Sequence, residues 1–179
     1  MMKDALDLWI NEIRRYNPRL HLVGPGLLAE LSSQVQACLP LLAHIQAPVI
    51  ADLGSGSGLP GIPFALLHPQ TRVFLIERGR DKCVFLRHVV DLLGLGQVTV
   101  LETDPLAHDH DTYTTVISRA FSPKADLNRA VRRILDPQGR FFALGTQAPL
   151  LDDSFASSAI LASDKAPEIK LFEYVFIPK

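Results

Sequence analysis

The chain has 179 residues, 47% of them hydrophobic and 21% charged, the balance of an ordinary soluble domain long enough to bury a real core. Its formal net charge of −1 excludes a global basic field, so any contact with nucleic acid must come from a local patch. Cys38 and Cys83 lie far apart with no Cys-x-x-Cys spacing, which excludes a disulfide framework and reads as two small buried apolar residues in a reducing cytoplasm.

The amino terminus, Met-Met-Lys-Asp, lacks a charged-then-apolar signal pattern, and no apolar run reaches membrane-spanning length. A cytoplasmic monomer with no membrane partner is expected. Residues 2–16 place Leu6, Trp9, Ile10, Ile13 and Tyr16 on one helical stripe, and Asn17-Pro18 should stop that helix. After the break at Gly24-Pro25-Gly26, residues 27–46 resume a helical period through Leu28, Leu31, Val35, Cys38, Leu39 and Leu42. Residues 1–46 are thus expected to form a helical cap across the strand ends of a core spanning 47–179.

From Val49 the chain alternates strand and helix: a strand at 49–53, a helix from about Pro60 to His68, a strand at 72–77, and a helix at 80–93 ended by Gly94 and Gly96. A third strand at 97–102 and a polar loop at 103–112 follow. The fourth strand runs from Tyr113 to Ser118. Ser122-Pro123 reads as N-cap and first residue of a helix ending near Leu135. Asp136-Pro137-Gln138-Gly139 reads as a turn into a strand at 140–144. Residues 148–165 are weakly patterned, and a last strand is expected at 169–177. Such alternation predicts a single α/β domain, a Rossmann-like three-layer sandwich with a mostly parallel seven-stranded sheet. Ligands of such folds bind beyond the carboxyl ends of the strands.

The stretch Asp52, Leu53, Gly54, Ser55, Gly56, Ser57, Gly58, Leu59, Pro60, Gly61 is an acid followed by glycines at every second position. Its last six residues also fit the dinucleotide pattern of glycines at positions one, three and six. A diphosphate seeks free amides at the first helical turn. Pro60 removes one such donor, and Asp52 brings negative charge. S-adenosylmethionine presents an ammonium and a sulfonium instead, so Asp52, Gly54, Ser55, Gly56 and Gly58 favour that cofactor over NAD.

Glu77, nineteen residues beyond Gly58 at a strand end, can take both ribose hydroxyls of an adenosine ligand. Asp104 can accept from an adenine amine, with Pro105 and Leu106 packing on the ring. Arg119 faces the meeting place of donor and substrate, where it can hold a phosphate or carboxylate or address a base edge; it is the candidate catalytic residue. His108-Asp109-His110 lacks a third ligand and reads as solvated loop, so no metal is expected. Arg129, Arg132 and Arg133 share one helical turn, more simply a solvated face than a polyanion contact. No Asn-Pro-Pro-Tyr type segment, Pro-Cys nucleophile or Gly-x-Ser-x-Gly elbow occurs. A nucleophile needing little activation is therefore expected.

The run from Asp52 to Pro63 resembles that of the RsmG (glucose-inhibited division protein B) family of 16S small-subunit ribosomal RNA guanine-N7 methyltransferases. The likeness continues through Lys82–Arg87, Leu92–Leu95, Val116–Phe121 and Leu135–Leu144. The resemblance implies a class I S-adenosylmethionine-dependent methyltransferase acting on ribosomal RNA or the small subunit, with cofactor contacts at Gly54, Leu59, Pro105, Leu106 and Arg119. Where the family has polar groups, this chain carries Leu31, Gln34 and Val35, Asp104-Pro105-Leu106, Thr114, and Gly145-Thr146. A small-molecule methyltransferase and a non-catalytic binder of nucleoside or protein are the alternatives.

Overall fold

A computed structural model describes residues 2–107, 111–121 and 124–178. Two amphipathic helices, α1 (Met2–Leu20) and α2 (Pro25–Ala43), precede the sheet. Strands β1 (Val49–Leu53), β2 (Arg72–Glu77), β3 (Val98–Glu102), β4 (Tyr113–Arg119), β5 (Leu135–Gly145), β6 (Phe155–Ala162) and β7 (Lys170–Phe176) form one sheet in the order β3-β2-β1-β4-β5-β7-β6. Strands β1 to β5 pair in parallel, and β7 runs antiparallel to both β5 and β6. The order reverses between β1 and β4, the position at which a doubly wound sheet opens a crevice.

Three further helices complete the layers: α3 (Gly61–Leu67), α4 (Arg80–Leu92) and α5 (Leu127–Ile134), the last preceded by a 3-10 turn at Lys124–Asp126. Side chains of a strand alternate between its two faces, and the sheet is buried on both. Ile50, Val73, Leu75, Ile117 and Phe142 join one core with Trp9, Ile13, Leu31, Val35, Ile62, Phe64 and Phe85 of α1 to α4. Ala51, Leu53, Ile76, Val116 and Phe141 join a second core with Leu127, Val131 and Ile134 of α5. The expected three-layer sandwich is thus observed. The cap does more than cross the strand ends, because its helices pack on α3 and α4 and share their core.

Three expectations need correction. Asn17-Pro18 does not stop α1, which continues to Leu20. Pro18 is exposed, so water can serve the carbonyl that its missing N–H leaves free. The helix ends one turn later, where His21 enters the left-handed region at φ 48° and Asn17 Oδ1 accepts the Val23 N–H. The turn at 136–139 lies inside β5. Pairing jumps there from Tyr113–Leu135 to Thr115–Arg140, with Gln138 at φ 64°. The weakly patterned stretch contains β6. The expected N-cap at Ser122-Pro123 lies outside the described residues. Among the described residues, no helix is long and apolar enough to cross a membrane.

Candidate active site

A cleft of about 420 Å³ opens at the carboxyl ends of β1, β2 and β4. Its floor is the glycine loop between β1 and α3, in which Gly54, Gly56 and Gly58 have φ of 73°, 55° and 94°, values that glycine alone adopts without cost. A Cβ on Gly58 would sit 2.5 Å from Ile62 Cγ1, and one on Gly54 would sit 3.0 Å from the Phe121 ring.

The loop consumes most of its own amides. Gly54 and Ser55 N–H donate to the Ile76 carbonyl at 2.9 and 3.0 Å, Gly58 N–H to the Ser55 carbonyl at 2.7 Å, and Ile62 N–H to the Gly58 carbonyl at 2.7 Å. Gly56 N–H donates to Glu77 Oε2 at 2.9 Å, while Gly79 N–H donates to Glu77 Oε1 at 2.8 Å. One carboxylate therefore clamps the loop after β1 to the loop after β2. Glu77 is nearly buried yet lines the cleft.

Asp52 does not reach the cleft. Its side chain points to the α3 side of the sheet, is fully buried, and accepts the Gly61 N–H at 3.1 Å through Oδ2. Among the described residues its other oxygen has no hydrogen-bond partner. Burial pushes its carboxyl up to about 7, against the opposing pull of the Gly61 amide. The expected ligand-facing acid is instead an internal brace that occupies the first amide of α3. Gly58 too is buried beneath the loop, while Gly54, Ser55, Gly56, Leu59, Glu77, Asp104, Pro105, Leu106 and Arg119 all line the cleft. Asp104 forms a local turn, its Oδ1 accepting the Leu106 N–H at 2.9 Å, which presents Pro105 and Leu106 on that wall.

Arg119 is half-buried on the opposite wall. One Nη donates to Gln34 Oε1 of α2 at 2.9 Å, and the other lies 4.0 Å from Cys38 Sγ. Both partners are neutral. Burial lowers the Arg119 pKa from its ordinary value, and burial likewise pushes the Cys38 thiol up to about 11. Neighbouring Ser118 fixes the strand ends, donating through Oγ to the Leu53 carbonyl at 2.9 Å.

Sequence reasoning missed the contribution of the cap. Leu22, Val23 and Gly24, from the turn between α1 and α2, and Leu27, in the first turn of α2, line the cleft, as do Arg78, just before α4, and Lys82 in its first turn. Trp9 had a visible place on the apolar stripe of α1, but nothing in its spacing showed that its indole N–H donates to the Ser57 carbonyl at 3.0 Å. Arg129 and Arg132 are not themselves in the lining of the cleft; Arg132 is tied to Asp152, whereas Arg129 pairs with Asp126, which does line it. The triplet His108-Asp109-His110 lies outside the described residues, and no cluster able to hold a metal occurs among those described.

The strand order, the glycine loop at the switch point and the acid ending β2 define a class I, Rossmann-like methyltransferase fold. The chain belongs to the family described as rRNA small subunit methyltransferase G, whose model matches residues 2–166. A relative of that name from Nitrosospira multiformis is 46% identical over 99 residues, covering 55% of this chain and 46% of the relative. Another from Halorhodospira halophila is 38% identical over 142 residues, 79% of this chain and 68% of the relative. The matches to the Nitrosospira relative and to one from Alteromonas mediterranea span about half the length of those proteins. Among solved structures, a mutant of MtNAS in complex with S-adenosylmethionine superimposes with a TM-score of 0.68 at 18% identity, over 99% of this chain and 77% of that one. A putative methyltransferase, yhhF from Escherichia coli, does so with 0.61 at 15% identity, over 82% and 87%.

Proposed function

We propose that this chain transfers a methyl group from S-adenosylmethionine to N7 of a guanine in 16S, small-subunit ribosomal RNA. The observation that carries the choice of cofactor is the internal satisfaction of the glycine loop. Gly54, Ser55, Gly56, Gly58, Gly61 and Ile62 have all committed their amides, and Pro60 has none. A diphosphate would find neither the cluster of free donors it requires nor a positive floor, because Glu77 stands among them.

A nucleoside whose attached amino acid carries an ammonium and a sulfonium fits that floor. Glu77 would take the ribose hydroxyls through lone pairs left after its two amide bonds. Pro105 and Leu106 would pack on the adenine, with Asp104 beside them, and Gly54, Ser55, Gly56 and Leu59 would line the amino-acid end. Arg119, a cation with neutral partners, would hold the carboxylate.

The cofactor supplies an electrophilic methyl group. Guanine N7 is an exposed acceptor with a free lone pair, so the chain needs no general base. Its residues have to hold the two partners in line and favour the charge that moves onto the base. Relatives bearing the ribosomal RNA methyltransferase name support that substrate class.

The test is transfer of labelled methyl groups to small-subunit particles and to free RNA, with Gly56→Asp as the blank. Counts above the blank are expected. Counts at the level of the blank on every RNA substrate would overturn the reading. Calorimetry with S-adenosylhomocysteine and NADH checks the cofactor separately, and binding of the first alone is expected.

A further inference from the structure

Several of the chain's cations are already matched by acids. Lys3 pairs with Asp7, Arg87 with Glu102, Arg129 with Asp126, Arg132 with Asp152, and Arg140 with Glu173. Arg19, Arg78, Arg80 and Lys82 differ, since among the described residues none of them has an acid or hydrogen-bond partner. They come from two neighbouring elements, the end of α1 and the start of α4 with the residues just before it. Arg19 is in the last turn of α1, Arg80 opens α4, and Arg78 and Lys82 line the mouth of the cleft.

Beside them runs a second, shallower groove of about 250 Å³ between α1 and α4, lined by Tyr16, Arg19, Asp81, Val84, Phe85 and His88. Its wall is apolar and open to solvent, with Val84 57% exposed. Tyr16 is held edge-on against Phe85 and His88, with ring centroids 5.9 and 5.7 Å apart. The Arg15 guanidinium lies 5.4 Å from the Tyr16 centroid. Asp81 is the acid in this lining. Glu12 nearby is nearly buried and already engaged by His88 and Arg15. On a chain of net charge −1, this is a concentrated positive strip joined to an aromatic wall.

We infer that this strip and groove bind a single-stranded RNA segment flanking the modified guanine, with Arg19 and Arg80 on phosphates and Tyr16 under an unstacked base. The first turns of α4 border both the cleft and the groove, so a strand whose guanine enters one leads directly along the other. A membrane or an acidic peptide would match the charge alone. A positive track together with an aromatic platform is what single-stranded nucleic acid uses. The inference rests on the RNA reading of the cleft.

The experiment measures binding of a labelled single-stranded fragment of small-subunit ribosomal RNA to the full chain across a salt series, with methyl transfer and S-adenosylhomocysteine affinity alongside. Arg19→Glu with Arg80→Glu is expected to weaken RNA binding at least tenfold at about 0.1 M salt. It should also flatten the log–log salt slope by roughly 1.4, about 0.7 for each single-strand phosphate lost. Tyr16→Leu keeps the packing and loses the platform. It should weaken binding about tenfold with the slope unchanged. S-adenosylhomocysteine affinity stays at the wild-type value in all of these. Arg132→Glu with Arg133→Glu, on α5 and in the lining of neither the cleft nor the groove, should leave RNA binding intact.

Wild-type RNA affinity and slope in the strip variants, alongside active wild-type protein, would overturn the strip and spare the cleft. An equal loss from the α5 reversal would reduce the effect to net charge and overturn it as well. Wild-type protein that neither binds nor methylates RNA would remove the underlying reading together with the strip. Binding of anionic vesicles in place of RNA, abolished by the same reversals, would assign the strip to a membrane surface instead.

Discussion

The indole N–H of Trp9 donates to the carbonyl oxygen of Ser57 at 3.0 Å, bonding the first helix of the chain to the tip of a loop 48 residues later. Trp9 is fully buried, and Ser57 lines the cleft. The cap therefore holds part of the floor of the cleft in place. Trp9→Phe keeps most of the packing but leaves a buried carbonyl without a donor, a loss of about 1–3 kcal/mol. Urea unfolding is expected to show that loss. Calorimetry is expected to show weaker S-adenosylhomocysteine binding, because Ser57 is freed to move. A variant that loses stability but binds with wild-type affinity would limit Trp9 to packing.

Glu77 invites a sharper test, because its two oxygens accept one amide from each of two loops. Glu77→Gln retains one acceptor oxygen and presents an NH2 group to the other amide, so one side of the clamp opens. Hydrogen bonds to a charged group are worth about 1.5–3 kcal/mol, which converts to roughly a 10- to 150-fold loss of S-adenosylhomocysteine affinity. Glu77→Asp, too short to span both loops, is expected to lose a similar amount. Titration calorimetry of both variants checks this, and undiminished affinity would show that the clamp is dispensable.

Strands β1 and β2 were legible because they are largely apolar runs with an acid or a glycine at the end, as burial on both faces requires. Strand β6 was not. Its residues Phe155 to Ala162 are mostly exposed, and a register shift between Ser157 and Ala159 reverses the phase of its alternation midway, which erases the period-two signal. Glu77 and Arg119 were legible as strand-end residues, since the fold fixes where strand ends converge. Asp52 was legible as a loop-entry acid, but its direction depends on which face of β1 it occupies and on how closely α3 approaches. Gly61 allows that approach, since a Cβ there would lie 2.6 Å from Asp52 Oδ2 and 2.4 Å from Leu75 Cδ2. Contacts from the cap, such as Gln34 to Arg119, cross 85 residues and leave no local pattern to read.

Gln34 sets the charge of the wall it supports. As a neutral amide it orients the Arg119 guanidinium without cancelling its charge. Gln34→Glu would place a carboxylate against that cation in a half-buried setting, where pairing is strong. The expected result is about tenfold weaker binding of S-adenosylhomocysteine, whose carboxylate loses its partner, on the scale of one charge-assisted hydrogen bond. Methylthioadenosine, which lacks the amino-acid carboxylate, should bind as it does to the wild type. Equal losses for both compounds would show that the substitution disturbs the adenosine end instead.

Asp52 makes stability depend on pH in a direction opposite to that of a paired surface carboxylate. Its carboxyl is raised from 3.8 to about 7 in the folded chain, chiefly by burial. Between those values the folded chain keeps a proton that the unfolded chain has released. Folding then takes up a proton, so stability from this group is fully present in acid, falls as pH rises through the window, and levels off above about 7. The slope is at most about 1.4 kcal/mol per pH unit. Asp52→Asn removes the titration while its Oδ1 still accepts the Gly61 N–H. Urea midpoints measured from pH 5 to 8 should therefore converge or cross for the two proteins as pH rises, the variant gaining relative to the wild type. Parallel curves would place the Asp52 carboxyl back in the ordinary range and identify it as ionised throughout.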